Sequence, residues 1–155
     1  MRFSARGRYG IRAMIDIALQ GREGPVSARA IAERQEFSPD YLEQILRQLR
    51  RRGLVRSTRG PKGGYLLARP AEAISVWDII QALDEPVHLA PCFARGGHDP
   101  ACPRVDYCAA HLLWAKVGES LRAVFVNATL ADIVAEARCQ VADETGSANS
   151  PGSQR

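Results

Sequence analysis

Residues 38–68, SPDYLEQILRQLRRRGLVRSTRGPKGGYLLA, decide how the chain folds. The first half carries helix signals in order. Ser38 can cap, Pro39 suits the first helical position, Asp40 complements the helix dipole, and Gly53 stops the helix. Leu42, Ile45, Leu46 and Leu49 recur at helical spacing and predict a buried stripe, with Tyr41, Glu43, Gln44, Arg47 and Arg51 on the opposite face. The second half changes period. LVRS (54–57) and YLLA (65–68) read as strands, and TRGPKGG (58–64) between them reads as a flexible, basic hairpin tip.

Upstream, RYGIRAMIDIAL (8–19) places Ile11, Met14, Ile15 and Ala18 at helical spacing. After a break at Gly21–Pro25, Ser27 is a plausible N-cap for a short helix, ARAIAERQ, ending near Gln35. Two helices joined by a tight QEF connection form a helix-turn-helix pattern, and a basic-tipped hairpin after it makes a winged helix. The expected fold is therefore mainly α with a small β-hairpin wing. In such an arrangement one helix enters the major groove of double-stranded DNA while the wing reaches the neighbouring backbone or minor groove. The expected contacts are Ser38, Tyr41, Glu43, Gln44 and Arg47 from the helix, and Arg59, Gly60, Pro61 and Lys62 from the wing. Arg59 can enter a narrow minor groove and Lys62 can meet phosphate. Glu43 is the odd member. As a solvated residue it would pair with Arg47 at i+4; as a reader it would accept from cytosine N4 and repel sites lacking that donor.

Charge supports this division. The net charge is +4, but residues 1–70 hold 15 of the 21 Lys and Arg against 6 of the 17 Asp and Glu, leaving −5 on residues 71–155. A basic first half suits a polyanion partner. No apolar run is long enough to span a bilayer, and arginines threaded through the N-terminus do not read as a signal peptide. No membrane partner and a cytoplasmic location are expected. No nucleophile–base pair, carboxylate pair or phosphate loop is present, so the chain reads as a non-enzyme.

Downstream, Ser75 caps a short helix, VWDIIQALDE, and a long helix is predicted from Asp106 to about Phe125. Leu113, Val117, Leu121, Val124 and Ala128 line one of its faces, flanked by Trp114 and Phe125. So apolar a helix outside the winged-helix core suits packing on its own copy, and a homodimer suits palindromic DNA. LADIVAEA closes the fold, and DETGSANSPGSQR has the composition of a disordered tail. The predicted division is a DNA-binding domain over 1–85, a loop over 86–105, dimerisation and closing helices over 106–138, and a tail over 139–155.

The loop, CFARGGHDPACPRVDYCAAH (92–111), gathers three cysteines and two histidines. Read from the residues alone, zinc and an iron–sulfur cluster are both open, since each accepts three thiolates and an imidazole. A disulfide would need an oxidising compartment.

Three stretches, RYGIRAMIDIAL, YLEQILRQLRRRGLVRSTRGPKGGYLLA and CAAHLLWAKVGESLRAVFVNATLADIV, resemble the IscR family of winged-helix, iron–sulfur cluster regulators, relatives of the nitric-oxide sensor NsrR. The resemblance runs from Met1 to about Ala137. It implies a homodimeric transcriptional regulator with a [2Fe-2S] cluster whose occupancy selects its promoters, those of cluster biogenesis among them. Cys102-x5-Cys108-x2-His111 has the spacing of the family's last three ligands, and Cys92 stands where the first belongs. The nine residues between Cys92 and Cys102 exceed the family's gap, and His98 within it is an alternative ligand, although loop histidines are more often solvated. Some relatives take an acidic ligand from the partner's first helix; here that position is Arg8. Cys139 is expected to be a free thiol. The family glutamate matching Glu43 separates two classes of DNA site, one read only with the cluster bound. The alternatives are a nitric-oxide or redox-sensing repressor of the same fold, a zinc-stabilised DNA-binding protein, and an iron–sulfur electron carrier.

Overall fold

The structure is a computed structural model in which residues 4–85 and 108–147 are described. Helix α1 (Ala5–Gln20) is followed by α2 (Ala28–Gln35) and α3 (Pro39–Arg51). A two-stranded antiparallel hairpin comes next, β1 (Val55–Thr58) and β2 (Gly64–Leu67), with Val55 opposite Leu67 and Thr58 opposite Gly64. A 3-10 turn (Ala71–Ala73) leads to α4 (Val76–Ala82), and α5 (Ala109–Asn127) and α6 (Leu130–Ser147) lie later in the chain.

The core follows from the helix patterns. Leu42, Ile45, Leu46 and Leu49 of α3 are each at most 1% exposed, as their spacing predicts. They pack with Met14 and Ile17 of α1, Ile31 of α2, Leu54, Ile79 of α4 and Leu130 of α6. Each such burial is worth about 1.5–3 kcal/mol, so this stripe fixes the rotation of α3 about its axis. Gly10 lets α1 approach α4, because a Cβ there would lie 2.1 Å from Leu83 Cδ1.

Helix ends differ from the sequence reading for identifiable reasons. The first helix begins at Ala5, three residues before the expected Arg8, because the Ser4 hydroxyl accepts from the Gly7 N–H at 3.2 Å and caps it. Ser27 caps α2 as expected, and Gly53, at φ +70°, ends α3. Ser38 is the N-cap residue of α3, yet its side chain makes no cap hydrogen bond. Pro39 has no N–H to satisfy and Asp40 supplies the negative charge, so the helix starts without it. Ser75 forms a full capping box with Asp78. Thr129 does the same for α6: its N–H and hydroxyl donate to the Asp132 carboxylate, which lowers that carboxyl's pKa. The closing helix continues to Ser147, beyond the boundary of 138 expected from composition.

Candidate nucleic-acid interface and ligand-bearing helix end

With its apolar stripe buried, α3 turns Glu43, Gln44, Arg47 and Arg51 outward, all exposed. Glu43 makes no ion pair or hydrogen bond among the described residues, and the helical pair with Arg47 does not form. The carboxylate and the guanidinium both face solvent. The Ser38 hydroxyl, relieved of capping, stands exposed at the start of the same helix.

Tyr41 is half-buried, and its ring is fixed by a short aromatic series. Tyr41 meets Tyr9 edge-on with centroids 5.9 Å apart, and Tyr9 stacks on Phe37 at 4.3 Å. Arg12 covers the other ring at 4.8 Å from its centroid and donates to the side chain and carbonyl of Gln35. These supports lie on α1 and the turn before α3. Sequence reading missed them because no local pattern pairs residues so far apart.

The wing is braced at its base and open at its tip. Val26 and Tyr65 exchange backbone hydrogen bonds of 2.9 and 2.8 Å, tying β2 to the segment before α2. Arg50 donates to the Ser57 hydroxyl at 3.2 Å, tying the end of α3 to β1. Arg59, Gly60, Pro61 and Lys62 are all exposed at the tip. The Gly63 N–H closes the turn on the Gly60 carbonyl at 2.9 Å, and Gly60 adopts φ +116°, a conformation that disfavours any side chain. Gly60 therefore shapes the tip, with Arg59 and Lys62 carrying its charge.

Of the expected metal ligands, Cys108 and His111 are described; Cys92, Cys102 and the alternative His98 lie outside the described residues. Cys108 is the N-cap residue of α5, half-buried, and its side chain takes no part in capping. His111 stands in the first turn, and its N–H donates to the Cys108 carbonyl at 2.9 Å. A thiol and an imidazole thus share one end of one helix, and the first turn of that helix bears no acidic residue. Soft thiol and imidazole donors suit iron or zinc better than a hard cation. Cys139 is an exposed free thiol on α6.

The α5 helix has no buried residue in the single chain. Leu112, Leu113 and Val124 are 66%, 55% and 62% exposed, and Trp114, Val117 and Val126 are also exposed. Among the described residues no helix is long and apolar enough to cross a membrane.

Residues 3–136 match the Rrf2 family, described as an iron-dependent transcriptional regulator. The chain is 44% identical over 134 residues to the HTH-type transcriptional regulator IscR of Klebsiella pneumoniae (strain 342), covering 86% of this chain and 80% of that protein. Among solved structures it is similar to T. potens IscR, with a TM-score of 0.72 and 40% identity over 88% of each chain. CymR (YrzC), the global cysteine regulator of B. subtilis, has the same TM-score at 34% identity, covering 88% of this chain and 98% of its own.

Proposed function

Because the chain belongs to the Rrf2 family of winged-helix transcriptional regulators, we propose that it is a homodimeric regulator whose [2Fe-2S] occupancy selects among palindromic promoters, including those of iron–sulfur cluster biogenesis. It is an IscR-like regulator and not an enzyme. In this reading it works in the cytoplasm, with α3 in the major groove and the wing alongside.

On DNA, Ser38, Tyr41, Gln44 and Arg47 offer donors and acceptors to base edges and phosphates, and Glu43 admits sites with a donor at its position. Arg59 enters the minor groove and Lys62 neutralises phosphate, positioning more than discriminating. Two copies joined through the bare apolar face of α5 would present two such readers related by a two-fold axis.

Cys92, Cys102, Cys108 and His111 would hold the cluster. When bound, it supplies a reversible signal of iron–sulfur supply. As the one neutral nitrogen donor among three thiolates, His111 would be the ligand whose loss makes that signal labile. The observation that carries the reading is the placement of Cys108 and His111 at the head of the helix with the bare apolar face. There, ligation and dimer geometry involve the same turn of backbone.

The test is anaerobic isolation of the full chain. Coloured protein with about two iron and two acid-labile sulfide per subunit is expected. Cys92→Ala, Cys102→Ala or Cys108→Ala should abolish the colour, His111→Ala should shift or weaken the spectrum, and His98→Ala should leave it nearly intact. Colourless protein holding stoichiometric zinc that iron cannot replace would contradict the reading.

A further inference from the structure

Two adjacent carboxylates at the end of the α4 segment grip two different helices of the DNA-binding unit. Asp84 accepts from Gln48 Nε2 of α3 at 3.0 Å and from Nη2 of Arg52, the C-cap residue of that helix, at 3.1 Å. Glu85, 8% exposed, accepts from the backbone N–H and the hydroxyl of Ser4, the cap of α1. Its side chain lies against Gly7, where an added Cβ would come within 2.9 Å of Glu85 Cδ.

The backbone there is held in an unusual shape. Asp84 has φ +50°, a left-handed conformation that non-glycine residues seldom adopt, and the Asp84 and Glu85 N–H groups both fold back onto α4 carbonyls at 3.1 Å. This turn aims consecutive side chains in two directions. Asp84 lines the shallow groove of α3 that also contains Gln44, Arg47 and Arg51. It therefore sits beside the DNA-reading face although its charge opposes DNA.

We propose that Asp84 and Glu85 are a two-armed joint that positions the recognition helix and the start of α1. It transmits to them any displacement of the chain that follows residue 85. Cys92 lies seven residues on in the sequence, so in the cluster reading its ligation would bear on this joint. Asp84 is a positioning residue, acting on DNA through Gln48 and Arg52. The coupling to ligation rests on the cluster reading above; the positioning role does not.

The test uses the full chain in a Cys92→Ala background, with Asp84→Gly and Asp84→Asn compared with the parent. Glycine removes both acceptor atoms yet tolerates φ +50°, and asparagine keeps one acceptor at little backbone cost. Asp84 is exposed, so neither variant should threaten folding. Measured are DNA affinity at fixed salt, its salt dependence, and amide exchange across residues 48–52. Asp84→Gly should weaken DNA binding about two- to fivefold, the range that exposed pairs sustain, and should speed that exchange with the salt slope unchanged. Asp84→Asn should fall between. Electrostatics alone predicts the opposite, because removing a carboxylate beside a polyanion should tighten binding. Tighter binding, or no change in affinity and exchange, overturns the joint. With Cys92 restored, the affinity ratio of cluster-bearing to cluster-free protein should shrink towards one in Asp84→Gly; an undiminished ratio overturns the transmission. The first comparison needs no cluster, so protein that never takes up iron would contradict the cluster reading and leave the positioning result in force.

Discussion

Glu43 is exposed and has no ion-pair or hydrogen-bond partner among the described residues, on the helix face that in our account meets DNA. Near phosphates an unpaired carboxylate must lose water and oppose the backbone charge, so a site that offers it no donor is penalised. A good base contact is worth roughly 1–3 kcal/mol, about a 5- to 150-fold difference in binding, which is enough to separate two classes of site. Glu43→Ala in the cluster-free Cys92→Ala background should therefore admit sites that otherwise need the cluster. Arg59→Ala should weaken both classes alike. Titrations of both variants on both classes at one salt concentration decide it. If Glu43→Ala weakens all sites equally or changes none, the carboxylate is only a solvated helix residue.

At the scale of elements, helix α1 is the brace against which α2 and α3 are set. Asp16 of α1 is 3% exposed and accepts from Arg34 Nε at 3.0 Å and Nη2 at 2.7 Å, with Gln35 adding a longer contact at 3.4 Å. These hydrogen bonds to Asp16 raise the pKa of Arg34. Arg34→Ala would leave a buried carboxylate with one weak donor, costing on the order of 3 kcal/mol, more than Asp16→Asn, which removes the charge itself. Urea unfolding of the two variants checks the order; a larger loss for Asp16→Asn would contradict it. This bridge was not legible in the sequence, because its residues lie 18 positions apart and nothing in either local pattern marks them. The stripe of α3 was legible in full, since helix period alone dictates it. The start of α1 was not, because Ser4 is held by Glu85 from the far end of the domain. Local signals place elements; contacts across the chain adjust their ends.

The whole molecule divides by the same logic. Its winged-helix half was legible because helix caps, glycines and basic residues are local features, and the fold leaves Arg47, Arg59 and Lys62 exposed. Of the ligand set, the structure places Cys108 and His111 together at the head of α5, while the other two stand outside the described residues. Part of the bare face of α5 was legible as an apolar stripe, and the single chain leaves Leu113 and Val124 of that stripe 55% and 62% accessible. In the function proposed above, a second copy covers that face and the working unit is the pair. The central claim is that cluster occupancy changes which DNA is read. It is tested most directly by titrating anaerobically isolated and cluster-free protein, at one salt concentration, on both classes of palindromic site. The account predicts that both forms bind one class with similar affinity, whereas only the cluster-bearing form binds the other tightly. Equal affinities of the two forms on both classes would contradict it.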